Sequence, residues 1–340
     1  MRQSKIFRPA ALAMFGALLV AVSALAGCGA TPTTGSDSNL TPLTVGLTYV
    51  PNIQFAPFYV AQALGYYKAA GLKVTLRHHG ASEDEFAAIA AGRENVVFAG
   101  GDETLQARSK GLPLVYVDNV YTEYPVTLIV PANSAIHSLA DLRGHTIGVP
   151  GEYGATYIGL LALLKNAGLT SSDVTIKSIN YTQIPALMNH QVDAVMGYIN
   201  NEPIEFQQAH FAIRTFPVPT TTPLVSNGLA AQEGYLKNAG PAVKALIAAT
   251  LKGVQYTIAH PQQAVNLSKK FVPGLSDPTA AANALAVLKA TIPAITPNSA
   301  HPGYNDPAAW QAMATFLQAN GQLSGSVDAS QSFSNDYLPS

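Results

Sequence analysis

The sequence predicts an α/β chain folded into two lobes, each a mostly parallel sheet flanked by helices, with a ligand cleft between them. Three observations carry this expectation. From Leu43 onward, short β-rich runs alternate with helical stretches, the pattern of βα units that build parallel sheets. Proline-bearing connections near Pro131 and near Pro217 and Pro219 interrupt the alternation, which marks two crossings between lobes. The length of 340 residues, with 48% hydrophobic and 11% charged, suffices for two cores and is too apolar for a disordered chain.

At the N-terminus, Arg2, Lys5 and Arg8 precede an apolar run from Ala10 to Ala24 that is short for a bilayer span. Leu25-Ala26-Gly27-Cys28 follows and resembles a bacterial lipobox, in which the cysteine is lipidated and becomes the first residue after cleavage. Residues 1–27 are therefore read as a lipoprotein signal peptide and Cys28 as the lipid attachment point. Residues 28–41, small and polar, form a flexible tether. Cys28 is the only cysteine, so a disulfide or a cysteine-based metal site is not expected. No later run reaches the roughly 18 consecutive apolar residues of a membrane helix. The expected location is extracytoplasmic, anchored to the bacterial cell membrane. The net charge of −1 and the lack of a basic cluster beyond residue 8 argue against a nucleic-acid partner.

The first lobe is expected to comprise residues 42–131 and 220–340. "LTVGLTY" (43–49) is a strand, 54–68 a helix entered through Pro51-Asn52, "LKVTLRH" (72–78) a strand and 83–91 a helix. "NVVFAG" (95–100) is a strand whose continuation opens a helix near Asp102, and "LPLVYVDNV" and "VTLIVPA" hold further strands. The second lobe, 132–219, repeats the alternation. "SLADLRGHTIGVPG" gives a short helix and a strand, and "GATYIGLLALLKNAG" a helix stopped by Gly168. "VTIKSIN" and "VDAVMGY" are strands, each followed by a helix, in "QIPALMNH" and "NEPIEFQQA", and "FAIRTF" is a last strand. "LVSNGLAA" returns a strand to the first sheet. Val243, Leu246, Ile247, Leu251, Val254 and Ile258 recur at helical spacing, and more helices follow at 261–270, 278–290 and 306–319.

Five stretches together resemble one family. "GLTYVPNIQFAPFYVAQALGYYKAAGLKV", "GGDETLQARSKGLPLVYV", "SLADLRGHTIGVPGEYGATY", "QVDAVMGYINNEP" and the terminal "FSNDYLP" are similar to substrate-binding proteins related to thiamine-pyrimidine, riboflavin and sulfonate/nitrate uptake. The resemblance spans residues 41–340. It implies a type II periplasmic-binding-protein-like fold and a monomeric receptor that needs no cofactor. Its implied partners are a small-molecule ligand and an ABC permease with its ATPase. Some relatives of this fold are enzymes that make the thiamine pyrimidine and carry a cysteine-rich motif; Cys28 alone does not supply one, so no catalytic residue is expected.

Strand-to-helix corners should face the cleft. At the first, Asn52, Gln54 and Phe55 are candidates; Asn52 reads as a ligand contact or as a helix cap, and Phe58 as core. Asp102, after a Gly-Gly turn, would bind an amino group or cap its helix, and Glu123 and Tyr124 lie near a crossing. Glu152 stands at the start of a second-lobe helix, where it would repel an anion. Tyr153 and Tyr157 offer stacking faces. Tyr198, Asn200, Asn201 and Glu202 end a buried strand; Glu202 reads alternatively as a first-turn residue. His78-His79 is expected to be a surface pair rather than a metal site. This acidic, amide-bearing and tyrosine-rich set suits a neutral or amine-bearing heteroaromatic. An aminopyrimidine precursor of thiamine comes first, riboflavin second, and an alkanesulfonate, taurine or nitrate third.

Overall fold

A computed structural model describes residues 39–80, 83–219, 222, 224–297 and 301–339. The signal peptide, Cys28 and all of the tether before Asn39 lie outside the described residues.

The first lobe begins with β1 (Thr41–Leu47), a 3-10 turn (Ile53–Phe55), α1 (Ala56–Ala63), α2 (Tyr66–Ala69) and β2 (Leu72–His78). It continues through α3 (Ala87–Ala90), β3 (Val96–Gly100), α4 (Gly101–Ser109) and β4 (Leu114–Asp118). The second lobe holds β5 (Val126–Pro131), β6 (Thr146–Val149), α5 (Gly154–Asn166), β7 (Thr175–Ser178), α6 (Gln183–Met188), β8 (Ala194–Tyr198), α7 (Glu202–Gln208) and β9 (Ile213–Pro217). The chain then returns to the first lobe as β10 (Asn227–Gln232), followed by α8 (Glu233–Ala259), α9 (Pro261–Ser268), α10 (Pro278–Ile295) and α11 (Pro307–Ala319).

Each lobe has a five-stranded sheet, in the orders β2-β1-β3-β10-β4 and β7-β6-β8-β5-β9. Both are mixed. The strands joined by helical crossovers pair in parallel, β1 with β2 and β3, and β6 with β7 and β8. The strands that arrive from the other lobe, β10 and β5, run antiparallel to both neighbours. The expected first-lobe boundary at residue 131 is therefore corrected: Val126–Pro131, buried throughout, lies between β8 and β9, and the crossing occupies residues 119–125. The expected helix over 54–68 breaks at Gly65, whose φ of 72° is open to glycine at little cost. The expected helix over 83–91 contracts to Ala87–Ala90.

The first sheet is covered on both faces. One face packs against α1 and α8 through Phe58, Tyr59, Leu246 and Val254. The other packs against α4 and α11, centred on Trp310, which is fully buried edge-on to Tyr116. The helix α8 kinks at Ala239, just before Pro241, because proline cannot continue the hydrogen-bond ladder. Among the described residues no helix is long and apolar enough to cross a membrane.

Candidate functional site

A cavity of about 780 Å³ is walled by residues of both lobes. The carboxyl end of β1 contributes Thr48 and Tyr49, the 3-10 turn Gln54 and Phe55, and the first turn of α4 Glu103. From the second lobe come Tyr153 ahead of α5, Tyr181 ahead of α6, Tyr198 at the end of β8, and Asn201 and Glu202 at the start of α7. These positions lie where parallel strands hand over to helices, so the side chains converge while the backbone stays hydrogen-bonded.

At the first corner Asn52 takes its capping role: its Oδ1 accepts the Gln54 amide at 3.1 Å, and it stays out of the wall. Gln54 reaches across to the second lobe, where its Nε2 donates to Asn200 Oδ1 at 3.1 Å. Asn200, fully buried, donates in turn from Nδ2 to Thr291 Oγ1 on α10 at 2.7 Å. Phe55 packs edge-on to Phe98 and to His78. Phe58 is core, as expected.

At the start of α4, Asp102 is fully buried and is not part of the wall. Its Oδ2 accepts from the Tyr124 hydroxyl at 2.8 Å, and Oδ1 has no partner among the described residues. Burial, with Glu103 beside it, pushes its pKa up to about 7. Glu103, one residue on, faces the cavity while its Oε2 accepts the Gly100 amide at 2.7 Å, closing the helix start without a hydroxyl cap. The step from Asp102 to Glu103 turns the side chain by about 100° on a helix, enough to change which acid the ligand meets. A side chain at Gly100 would collide with Asp102, so glycine is what lets the two acids fold back here.

Glu123 is exposed and outside the wall, while Tyr124 serves as the donor to Asp102. Glu152 is exposed, hydrogen-bonded to Tyr157, and Tyr157 packs in the core with Ile158 and Leu161. Neither lines the cavity. Of the second-lobe aromatics considered, Tyr153 and Tyr198 do. Glu202 Oε2 accepts the Tyr198 amide at 2.7 Å, and burial raises its pKa to about 7. A Cβ at Gly197 would sit 2.9 Å from the Glu202 carboxyl, so glycine makes room for that fold-back. Asn201 lines the wall and donates to Glu205 Oε1 at 3.0 Å.

The histidine pair is not an exposed one: His78 is half-buried and His79 is buried. His78 Nε2 meets the Tyr59 hydroxyl at 2.9 Å and Nδ1 the Tyr49 carbonyl at 3.0 Å. His79 is buried, with Nε2 on Glu94 Oε1 at 2.9 Å; the same oxygen takes Arg77 at 2.6 Å. The alternation of β2 turns one ring toward α1 and the other toward Glu94, which a dipeptide read without its strand's neighbours does not reveal. No group of three or more His, Cys, Asp or Glu that could hold a metal occurs among the described residues.

Residues 52–264 match the family model described as NMT1/THI5 like. The chain belongs to the NMT1/THI5-like family. It is 33% identical over 318 residues to "Riboflavin-binding protein RibY" of Chloroflexus aurantiacus, covering 91% of this chain and 90% of that one. It is 28% identical over 327 residues to "Formylaminopyrimidine-binding protein" of Halalkalibacterium halodurans, covering 94% and 97%. Among solved structures, the periplasmic aliphatic sulphonate binding protein SsuA from Escherichia coli superposes with a TM-score of 0.70 at 19% identity, covering 86% of this chain and 91% of that one. That likeness confirms the periplasmic-binding-protein fold and no more.

Several wall residues of this NMT1/THI5-like chain went unrecognised in the sequence. Tyr49 and Tyr181 meet across the lobes, ring centroids 5.6 Å apart at 69°, and Tyr181 is hydrogen-bonded to Tyr153. Tyr49 was legible in principle, since it follows the first strand directly; Tyr181 follows the edge strand β7 and carries no comparable signal. Glu85 also faces the cavity, close to Glu103, whose charge disfavours its ionised form. Chemically, the wall offers aromatic faces and carboxyl oxygens. Lys110 is its only Lys or Arg among the described residues, so the wall is unsuited to an anion.

Proposed function

We propose that this protein is an extracytoplasmic solute receptor of an ABC importer, closing its lobes on a neutral, hydrogen-bond-donating heteroaromatic. The observation that carries this is the 780 Å³ cavity shared by both lobes, walled by tyrosine, phenylalanine and carboxyl groups. Cavities of about 300–1,000 Å³ suit a multi-ring ligand, and tyrosine faces add roughly 0.5–1.5 kcal/mol per aromatic contact. Within that class the size of the cavity favours a flavin such as riboflavin, in line with the relative named for riboflavin. An aminopyrimidine is the second reading, supported by the relative named for formylaminopyrimidine; it would use the same acceptors and fill less of the wall. A sulfonate or nitrate would meet Glu85, Glu103 and Glu202 with little positive charge to offset them.

Gln54, Phe55, Tyr153, Tyr198, Asn201 and Glu202 are the ligand contacts among the residues first considered, joined by Tyr49, Glu85, Glu103 and Tyr181. The ligand favours the closed form only by its extra affinity for that form. The loaded monomer then docks on a membrane permease with its ATPase, held to the membrane by lipid on Cys28. A receptor rather than a synthase is supported by the two relatives named as binding proteins and by Cys28 being the sole cysteine. Titration of the purified protein with riboflavin, an aminopyrimidine and taurine tests the ligand class. Quenching of flavin fluorescence on saturable binding is expected; stabilisation by taurine or an alkanesulfonate alone, with no response to a ring compound, would overturn it.

A further inference from the structure

Resting on the reading above, that the cavity takes a neutral heteroaromatic, we propose that it has a second compartment. This is an arm between α3 and α4 that ends at Lys110 and holds a polyhydroxylated side chain of the ligand. The arm selects a ring that carries such a chain over the bare ring.

The wall of the cavity does not stop at the tyrosines that meet across the lobes. On α4 it takes in Glu103, Gln106 and Ala107, and then Lys110 just past the helix end. These stand at i, i+3, i+4 and i+7, so one whole face of α4 is turned to the cavity. At about 1.5 Å of rise per residue, that face runs roughly 10 Å from Glu103 to Lys110. Ala87 and Ala90 of α3, with Phe86 ahead of them, line the same cavity. Ile89 of α3 and Leu105 of α4 share one buried cluster, which seats the two helices side by side. The short side chains at Ala87, Ala90 and Ala107 leave the space between them open.

The polar groups along the arm suit hydroxyls. Lys110 is exposed and has no ion-pair or hydrogen-bond partner among the described residues. The nearby arginine Arg108, by contrast, is committed to Glu233 and to the Leu114 carbonyl. Gln106 makes one long side-chain bond, from Nε2 to Gln322 Oε1 at 3.4 Å, and keeps Oε1 to accept. Asp84, also in the wall, accepts the Phe86 amide through Oδ1 at 3.1 Å and keeps Oδ2. A hydroxyl both donates and accepts, so a polyol can meet an ammonium, an amide and a carboxylate in turn. A phosphate would gain from Lys110 but would face Asp84, Glu85 and Glu103, while Glu83 is committed to Arg77 at 2.5 Å.

The arm also separates the two ligand readings. Riboflavin carries a ribityl chain, hydroxylated at every carbon but the first, on its ring system. An aminopyrimidine of the thiamine series carries no chain of that length and leaves the arm to water. With the ring among Tyr49, Tyr153, Tyr181 and Tyr198, the chain runs along α4 and its end meets the Lys110 ammonium.

The test compares riboflavin with lumiflavin, the same ring system with a methyl group in place of the ribityl chain, by quenching of flavin fluorescence. Riboflavin is expected to bind about tenfold or more tightly, the worth of two ordinary hydrogen bonds. Lys110→Ala removes the donor at the end of the arm, and Ala90→Leu fills the arm from an exposed position on α3. Each should cut the preference for riboflavin over lumiflavin by about threefold or more. The preference is a ratio within one variant, so a general loss of folded protein cancels from it. Riboflavin 5′-phosphate should bind more weakly than riboflavin. Equal binding of the two flavins, a preference unchanged in either variant, or phosphate-ester binding as tight as that of riboflavin would overturn the arm while leaving the receptor reading intact. Binding of an aminopyrimidine with no response to either flavin would do the same. Failure of all these ring compounds to bind would overturn both.

Discussion

Asn200 accepts from Gln54, donates to Thr291 and meets Tyr121, so one buried amide ties the second-lobe strand end to two first-lobe elements and to the crossing. Buried amides are expensive to leave half satisfied, at about 1–3 kcal/mol for a lost partner. Asn200→Ala is therefore expected to lower stability by about 2 kcal/mol, read as a drop in the urea midpoint at unchanged slope. Gln54→Ala removes only one bond from a half-buried side chain and should cost less than about 1 kcal/mol; an equal loss in both would mean that the hub is not Asn200. The same scale shows where sequence reading stops. Asn52 and Asp102 each had a capping and a ligand-binding reading, and Glu202 a first-turn and a ligand-binding reading, and the sequence could not choose between them. The structure gives Asn52 the cap and puts Glu202 in the wall. It buries Asp102 one residue away from the acid that faces the cavity. Such choices turn on side-chain direction, which depends on what packs behind the helix and not on local pattern.

Strand β2 was read at its observed limits, Leu72–His78, because Gly71 and the apolar alternation of the strand mark it locally. By contrast, Val126–Pro131 is an uninterrupted buried run, recognisable as a strand but silent about its sheet, since its partners β8 and β9 lie about 70–90 residues downstream. The mixed sheets follow from the same gap: local patterns show crossover helices but not the direction of a strand returning from another lobe. Helix packing adds a constraint that propensity alone would misjudge. Gly253 sits inside α8, where alanine ordinarily gains about 1 kcal/mol. A Cβ there would run into the Pro57 carbonyl on α1 and lie 3.1 Å from the Ala61 side chain. Gly253→Ala is expected to reverse the usual sign and cost on the order of 1–3 kcal/mol through overpacking of α1 on α8. A thermal midpoint above that of the natural chain would show that the two helices can move apart freely.

Across the whole molecule, buried acids set how stability responds to pH. Asp102, Asp118 and Glu202 are all buried, and each has its pKa raised to about 7 from an ordinary value near 4. The Asp118 carboxyl ends β4 at the crossing, and neither oxygen has a partner among the described residues. Between about pH 4 and pH 7 the folded chain keeps protons that the unfolded chain releases, so stability falls as pH rises through that window. The slope is at most about 1.4 kcal/mol per pH unit for each group. Glu83, Asp141, Asp173 and Asp328 are shifted the other way, by Arg77 or by hydroxyl and amide donors. Their contribution is present above the ordinary carboxylate range and is lost only below it; at exposed sites such pairs are worth little. The raised acids therefore dominate above pH 4, and the thermal midpoint should be higher at about pH 5 than at about pH 8. Asp118→Asn separates this cause from the ligand site, because Asp118 lies outside the cavity wall. It should raise the midpoint at pH 8, leave it near that of the natural chain at pH 5, and remove about one proton of linkage from the slope. A midpoint that climbs from pH 5 to pH 8, or an Asp118→Asn slope equal to that of the natural chain, would place the titrating groups elsewhere.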